Sequence, residues 1–198
     1  RTFDVVVSAL LLVVAAPLLG IIALAVHLGD HGPVLFRQRR VGRGGATFSV
    51  LKFRTMSVDA ESKQAALRMS NERGGPLFKM ELDPRVTRVG RWLRNTSLDE
   101  LPQLVNVLRG EMSLVGPRPA LPTEVATFGP ELREREQVRP GITGLWQSEA
   151  RDNPSFEAYR RLDLFYVENW SITLDLMILV GTVEHLIVRL FTAFRKPP

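Results

Sequence analysis

From Val5 to Val26 the chain reads VVVSALLLVVAAPLLGIIALAV, with no charged side chain. A bilayer core of ~30 Å takes about 20 such residues as a helix. Three readings fit the run. The first is a plain transmembrane span. The second is a secretory signal, since Arg1 is basic and Ala23-Leu24-Ala25 has the A-x-A form. The third is a helix that enters the membrane, bends and returns to the same face. Pro17 sits near the middle of the run. It cannot donate to the Val13 carbonyl and its ring crowds that turn, so a kink at mid-depth is expected. Kinked spans also exist, so the proline alone leaves the three readings open. Arg37, Arg39, Arg40 and Arg43 follow the run, and the positive-inside rule keeps such a cluster cytoplasmic.

The rest of the 198 residues suffice for one domain with a real core. Lys and Arg number 26 against 21 acids, a formal charge of +5. That excess suits a phosphate-bearing partner: nucleic acid, anionic lipid or nucleotide. There is no cysteine, which excludes disulfides, thiolate nucleophiles and iron–sulfur sites. The three histidines form no H-E-x-x-H pair, and neither a G-x-x-x-x-G-K-[ST] nor a G-x-G-x-x-G loop occurs. A chain that begins at Arg1 rather than methionine is expected to be a piece of a longer product.

Val34 to Phe36, glycines 42, 44 and 45, and Phe48 to Phe53 predict a short β-hairpin, with Lys52 and Arg54 leaving it on one face. Ser57 to about Arg73 reads as a polar helix, broken by Gly74-Gly75-Pro76. Asp83-Pro84 predicts the next helix start, an acidic cap with proline at the first position. Arginines 85, 88, 91 and 94 then form either a solvated face or an anion-binding rail. From Ser171 onward, Leu176, Leu179, Val180, Val183, Ile187, Leu190, Phe191 and Phe194 recur at helical spacing, interrupted by Asp175, Glu184, His185 and Arg189. That helix either packs on the core or lies flat in the lipid interface.

SLDELPQL, Ser97 to Leu104, places two adjacent acids in this basic chain. Ser97 and Glu100 fit a capping box, with Asp99 in the favourable first turn. Pro102 strains that reading, because it falls where a second helical turn needs its N–H. Local rule-breaking of this kind tends to mark function. Leu98, Leu101 and Leu104 are expected to anchor the turn. An ionised aspartate at an amide-rich helix tip can attack phosphorus, and a neighbouring glutamate can hold Mg²⁺. Arg94 and Arg118 supply forked donors that match phosphate oxygens. The residues thus point to phosphoryl-type transfer at a membrane surface.

LKFRTM, DPRVTRVGRWLRNTSLDELPQLVNVLRGEMSLVGPRPALP, VRPGITGLWQ and RLDLFYVENWSITLDLMIL together resemble the bacterial sugar transferase family, the monotopic polyprenyl-phosphate phosphoglycosyl transferases. The likeness runs from Phe3 to about Thr182. It implies transfer of a hexose-1-phosphate from a UDP-sugar to undecaprenyl phosphate, with release of UMP. This is the first membrane step of exopolysaccharide, capsule or O-antigen synthesis. The implied nucleophile is Asp99, through a covalent aspartyl-phosphosugar, and Glu100 joins it around Mg²⁺ (magnesium). Lys52, Arg118 and Arg151 match basic positions that the family places around the phosphates; Arg54 and Arg94 are added from position alone. The Gly141–Gln147 stretch is expected either to shape the nucleotide-sugar pocket or to be a buried turn with Trp146 in the core.

The implied fold is α+β and mostly helical. Residues 1–30 form a re-entrant membrane helix kinked at Pro17. Residues 31–198 form a catalytic domain on the cytoplasmic face of the bacterial inner membrane, with a small β-hairpin and amphipathic interfacial helices, the last at the C-terminus. The family breaks its membrane helix at a Ser-Pro pair, whereas here the pair is Ala16-Pro17. Larger members carry membrane helices and a further domain before this part, so the chain would correspond to their C-terminal portion. The SVDAE and GGPLFK insertions incline the donor towards glucose or galactose. Membrane lipid is the expected partner and nucleic acid is not, and homodimerisation is left open. Two rival readings are a membrane-bound glycosyltransferase that releases UDP and a non-enzymatic basic membrane or nucleic-acid-binding module.

Overall fold

A computed structural model describes residues 1–63, 67, 80, 82–150 and 155–195. Helix α1 (Thr2–Asp30) holds the whole apolar run as one continuous helix, Pro17 included. It ends where His31 takes a left-handed backbone, φ 53°, and its N–H bonds to the His27 carbonyl at 2.8 Å. Val6, Leu10, Val13, Val14, Ile21 and Leu24 are exposed, whereas Ile22 and Val26 are buried with Phe53 and Leu93. Among the described residues α1 is the one helix long and apolar enough to cross a membrane.

Strands β1 (Leu35–Val41) and β2 (Thr47–Phe53) pair antiparallel, Leu35 opposite Phe53 and Val41 opposite Thr47. Gly44 and Gly45 close the hairpin at φ 65° and 77°, a region that glycine enters without a Cβ penalty. The predicted hairpin is present, but Phe53 does not share the Phe48–Val50 face. The strand's period of two sends Val50 into a cluster with Leu104, Val107 and Met112, and Phe53 to the opposite side against Leu93.

Helix α2 (Ala60–Lys63) starts three residues later than the predicted polar helix, after a turn over residues 57–59; beyond Lys63 all of that stretch but residue 67, with Gly74-Gly75-Pro76, lies outside the described residues. Helix α3 (Arg88–Thr96) starts later than Asp83-Pro84 predicts. Asp83 Oδ1 accepts the Arg85 N–H at 3.0 Å, and its Oδ2 lies 2.6 Å from Arg85 Nη2. A short acid that bonds two residues ahead turns the chain instead of capping a helix. Thr87 is the cap, its Oγ accepting from Gly90 N at 2.9 Å. The arginine rail is therefore divided. Arg85 is buried in its ion pair, Arg88 and Arg91 are exposed, and Arg94 is partly buried.

Helix α4 (Gln103–Arg109) leads through Gly110, φ 82°, to β3 (Ser113–Val115). After α5 (Pro122–Val125) and α6 (Pro130–Arg133), strand β4 (Gly141–Thr143) lies parallel to β3, Ser113 opposite Gly141 and Val115 opposite Thr143. The backbones touch just beyond this pairing: a Cβ on Gly144 would fall 2.1 Å from Gly116 O. Helices α7 (Leu145–Glu149), α8 (Phe156–Glu168) and α9 (Ile172–Arg195) complete the chain. Helix α9 packs on the core along one side and leaves apolar side chains exposed along another. Ile178 is buried in the cluster that contains Val115 and Tyr166, while Met177, Val180, Val188 and Phe191 are exposed.

Candidate functional site

The turn that carries Asp99 and Glu100 is not a capping box. Ser97 adopts a left-handed conformation, φ 58°, and closes α3 through its N–H; its side chain caps nothing. Leu98–Glu100 form a 3-10 turn, and Pro102 is the residue from which α4 begins. A missing N–H costs nothing at a helix start, so Pro102 opens a helix instead of distorting one. The leucines anchor the turn as expected: Leu98 packs with Phe53 and Leu93, and Leu101 with Leu104 on the Val50–Val107 cluster. The acids lie between these two apolar anchors.

Asp99 is buried, 8% exposed, and Glu100 half-buried. Glu100 Oε1 lies 3.2 Å from Lys52 Nζ, and Oε2 accepts from Gln103 Nε2 at 3.1 Å. With both partners of the lysine–glutamate pair partly solvated, this bridge is worth about 1 kcal/mol or less. Either group can therefore turn to a ligand at little cost. Arg94 donates from Nε to Thr55 Oγ1 at 2.9 Å. Burial pushes its guanidinium below the usual value, and the Asp99 charge opposes that shift.

A second basic group is tied to a buried acid. Glu124 Oε2 accepts the Leu121 N–H at 2.7 Å and lies 3.2 Å from Arg118 Nη1 and 3.7 Å from Arg40 Nη1. Burial, helped by Arg118 and opposed by Glu124, pushes Arg40 down to about 10, so it remains a cation at neutral pH. Behind it Arg135 donates to the Arg118 carbonyl and pairs with buried Asp163 at 2.7 Å.

The acidic turn and the arginines that Glu124 holds, Arg40 and Arg118, share one cavity of about 830 Å³. Lys52, Arg94, Asp99, Glu100 and Arg118 line it, so five of the residues singled out in the sequence come together. Arg54 does not join them: its guanidinium pairs with Asp30 under Gly32 and ties the end of α1 to the hairpin. Arg151 lies outside the described residues. Pro17 lies inside α1 and is not among the residues lining the cavity. Gly141, Thr143, Trp146 and Gln147 also line it, although Trp146 is 4% exposed and packs edge-on against Tyr159. The stretch is thus a buried turn and a cavity wall together.

Sequence reading missed Arg40, Gln103, Glu124, His185 and Arg189. Arg40 was legible, because the hairpin register puts Phe36 opposite Lys52 and Arg40 opposite Phe48, so Arg40 shares the Lys52 face. His185 and Arg189 stand four apart, on one helix face. Nothing in the sequence marks Glu124.

Among the described residues no group of three or more acidic or imidazole side chains is arranged to hold a metal. Two adjacent carboxylates nevertheless suit Mg²⁺, which commonly takes one or two carboxylates and fills its shell with waters and substrate phosphates. Apolar side chains also line the cavity, among them Leu11 of α1 and Leu179, Val183 and Leu186 of α9. The acidic pair therefore shares its cavity with both cations and apolar side chains.

The family model described as bacterial sugar transferase matches residues 1–189. The exopolysaccharide production protein ExoY of Sinorhizobium fredii is 41% identical over 187 residues, 92% of this chain and 83% of the relative. The UDP-glucose:undecaprenyl-phosphate glucose-1-phosphate transferase of Caulobacter vibrioides is 45% identical over 195 residues, 94% of this chain and 69% of the relative. The undecaprenyl-phosphate galactose phosphotransferase of Salmonella typhimurium is 40% identical over 192 residues, 93% of this chain. The chain spans 39% of the length of this last relative, and similarly short shares of several others.

Proposed function

The chain belongs to the bacterial sugar transferase family, and on that premise we propose that it transfers a hexose-1-phosphate from a UDP-sugar to undecaprenyl phosphate. The observation that carries the reading is that Asp99 and Glu100 share one cavity with cations and apolar side chains. A water-soluble diphosphate suits the cations and a lipid phosphate the apolar lining. Relatives named for galactose and glucose phosphotransfer to undecaprenyl phosphate support the same pair of substrates.

The Asp99 carboxylate attacks the phosphorus that bears the sugar. A P–O bond forms to Asp99, the bond between the two phosphates breaks, and UMP leaves with the electron pair. Lys52, Arg40 and Arg118 hold the donor diphosphate and take up the charge that grows on the leaving phosphate. The Arg94 guanidinium lies within coulombic reach of Asp99, and a nearby cation favours a carboxylate anion. Asp99 and Glu100 would hold Mg²⁺, which when bound supplies charge neutralisation between an anionic nucleophile and an anionic substrate.

The packing of α1 supports attachment to one membrane face. At its start Arg1 Nη2 donates to Val107 O at 2.7 Å, and Asp4 Oδ1 accepts from Leu114 N at 3.1 Å. At its end Val26 and Asp30 pack on Phe53 and Arg54. Both ends rest on the same domain although α1 runs unbroken through Pro17, and a helix that returns to the cytoplasmic face would need both ends so placed. A plain span would put them on opposite sides of ~30 Å of hydrocarbon.

Mass spectrometry of enzyme quenched during turnover tests the reaction. A hexose-phosphate adduct on Asp99, and its loss together with UMP release in Asp99→Asn, are expected. An adduct on another residue, or UDP as the product, would overturn the mechanism.

A further inference from the structure

We propose that Arg189 of α9 forms the subsite for the phosphate of the lipid acceptor, in the cavity it shares with the donor cations. The inference rests on the phosphoglycosyl-transfer reading and adds to it a residue and a side of entry.

Thr182, His185, Leu186 and Arg189 all line the cavity, and their spacing of three, four and seven puts them on one face of α9. That face is fixed at its inner end, where Thr182 Oγ1 and Thr143 Oγ1 stand 2.7 Å apart. Arg189 lies two turns further out. Its Nη1 is 3.5 Å from Ser97 Oγ, and Ser97 is the left-handed residue from which the Asp99 turn springs. A forked guanidinium is thereby brought by α9 to the start of the Asp99 turn, from an element other than those that carry Lys52, Arg40 and Arg118.

The opposite face of α9 exposes Met177, Val180, Val188 and Phe191. Helix α1 contributes Leu11 to the cavity and exposes its neighbours Leu10 and Val14. The cavity face of α9 itself carries Leu179, Val183 and Leu186 along with Arg189, and α1 adds Leu11 to the same cavity, an apolar lining of the kind a ligand with a hydrocarbon tail requires. A prenyl chain lying along α9 and α1 brings its phosphate to Arg189, next to Asp99. There a phosphate oxygen attacks the phosphorus of the aspartyl-phosphosugar. A P–O bond forms to the acceptor, the bond to Asp99 breaks, and the carboxylate is regenerated as the lipid diphosphate leaves. Charge balances without a proton transfer.

The test uses the full chain in phosphatidylcholine micelles with undecaprenyl phosphate and whichever UDP-sugar the unaltered protein turns over. Arg189→Ala and Arg189→Gln are each expected to raise the acceptor KM about tenfold or more, with the donor KM within about twofold, the pattern of lost uniform binding to one substrate. Arg189→Lys keeps the charge and should recover part of the loss. Two variants guard against one that does not fold, and tryptophan-fluorescence melting reports folding for each. An unchanged acceptor KM, or an equal rise in both constants, would overturn the proposal. So would an equal loss of flotation with phosphatidylglycerol vesicles lacking the acceptor, because Arg189 would then serve bulk lipid headgroups. If the unaltered protein releases no UMP from any UDP-sugar, the underlying functional reading fails instead.

Discussion

Replacing Gly90 by alanine sets two effects of opposite sign against each other. Gly90 lies inside α3, where alanine is ordinarily favoured over glycine by about 1 kcal/mol. Its Cβ, however, would stand 2.0 Å from Thr55 O and 2.6 Å from Thr55 C. Both are backbone atoms that cannot rotate away, and the Thr55 carbonyl already accepts the Thr87 N–H at 3.0 Å. The helix must retreat by more than an ångström from the segment it rests on, and such overpacking costs about 1–3 kcal/mol or more. A net loss of about 2 kcal/mol lowers Tm by about 4–8 °C in a protein of this size. The same retreat stretches the Arg94 Nε to Thr55 Oγ1 hydrogen bond of 2.9 Å, so UMP release should fall as well. Thermal unfolding followed by tryptophan fluorescence reads the first effect. Gly181→Ala in α9 is the control: a Cβ there meets nothing within 4 Å, and Tm should hold or rise. A Gly90→Ala protein as stable as the unaltered one, with the control behaving as stated, would refute the close-packing argument.

Other consequences are as direct. A chelator should stop UMP release and adduct formation, and added Mg²⁺ should restore both; full turnover in chelator removes the metal from the reaction. The chain has no cysteine, so single cysteines at Arg1 and Arg43 can be labelled without background. Both should react from the same side of sealed vesicles, and reaction from opposite sides would restore a plain span. Burial pushes Asp163 up from the ordinary 3.8 to about 6, so the folded protein holds that proton more tightly than the unfolded chain does. The stability this gives is present below pH 4 and is lost as pH rises to 6, an amount of about 3 kcal/mol. Asp163→Asn should remove that slope from urea titrations measured across this pH window, and an unchanged slope would show that Asp163 titrates normally.

What the sequence made legible was whatever depends on local pattern. The apolar run, the glycine-closed hairpin and the C-terminal helix each follow from periodicity or backbone freedom, and all three are present. Helix starts were less legible, because short polar side chains bond in more than one way. Asp83 turns back on Arg85 where a cap was expected, and Ser97 leaves its capping role to end α3 in a left-handed conformation. Local rules rank such alternatives almost equally, and packing decides between them; here the deciding contacts are Leu98 on Phe53 and Leu101 beside Leu104. The cationic side chains show the same division. Lys52, Arg94 and Arg118 sit in motifs close to the cavity. Arg54 belongs to such a motif too, yet a neighbouring acid on α1 claims it. Glu124 takes its meaning from Arg118, six residues before it, together with Arg40 far earlier in the chain, and no local window of sequence contains all three.

The seat of α1 bears on how the protein is made. Asp4 binds Ser113 and Leu114, separated from it by more than a hundred residues. During synthesis the apolar helix leaves the ribosome long before the strand that receives Asp4 exists. Until then the buried side of α1 has no partner in the later part of the chain, and contacts so distant in sequence close late. The Asp4 contacts are therefore among the last that the growing chain can make, and the start of α1 is seated only once β3 exists to receive it.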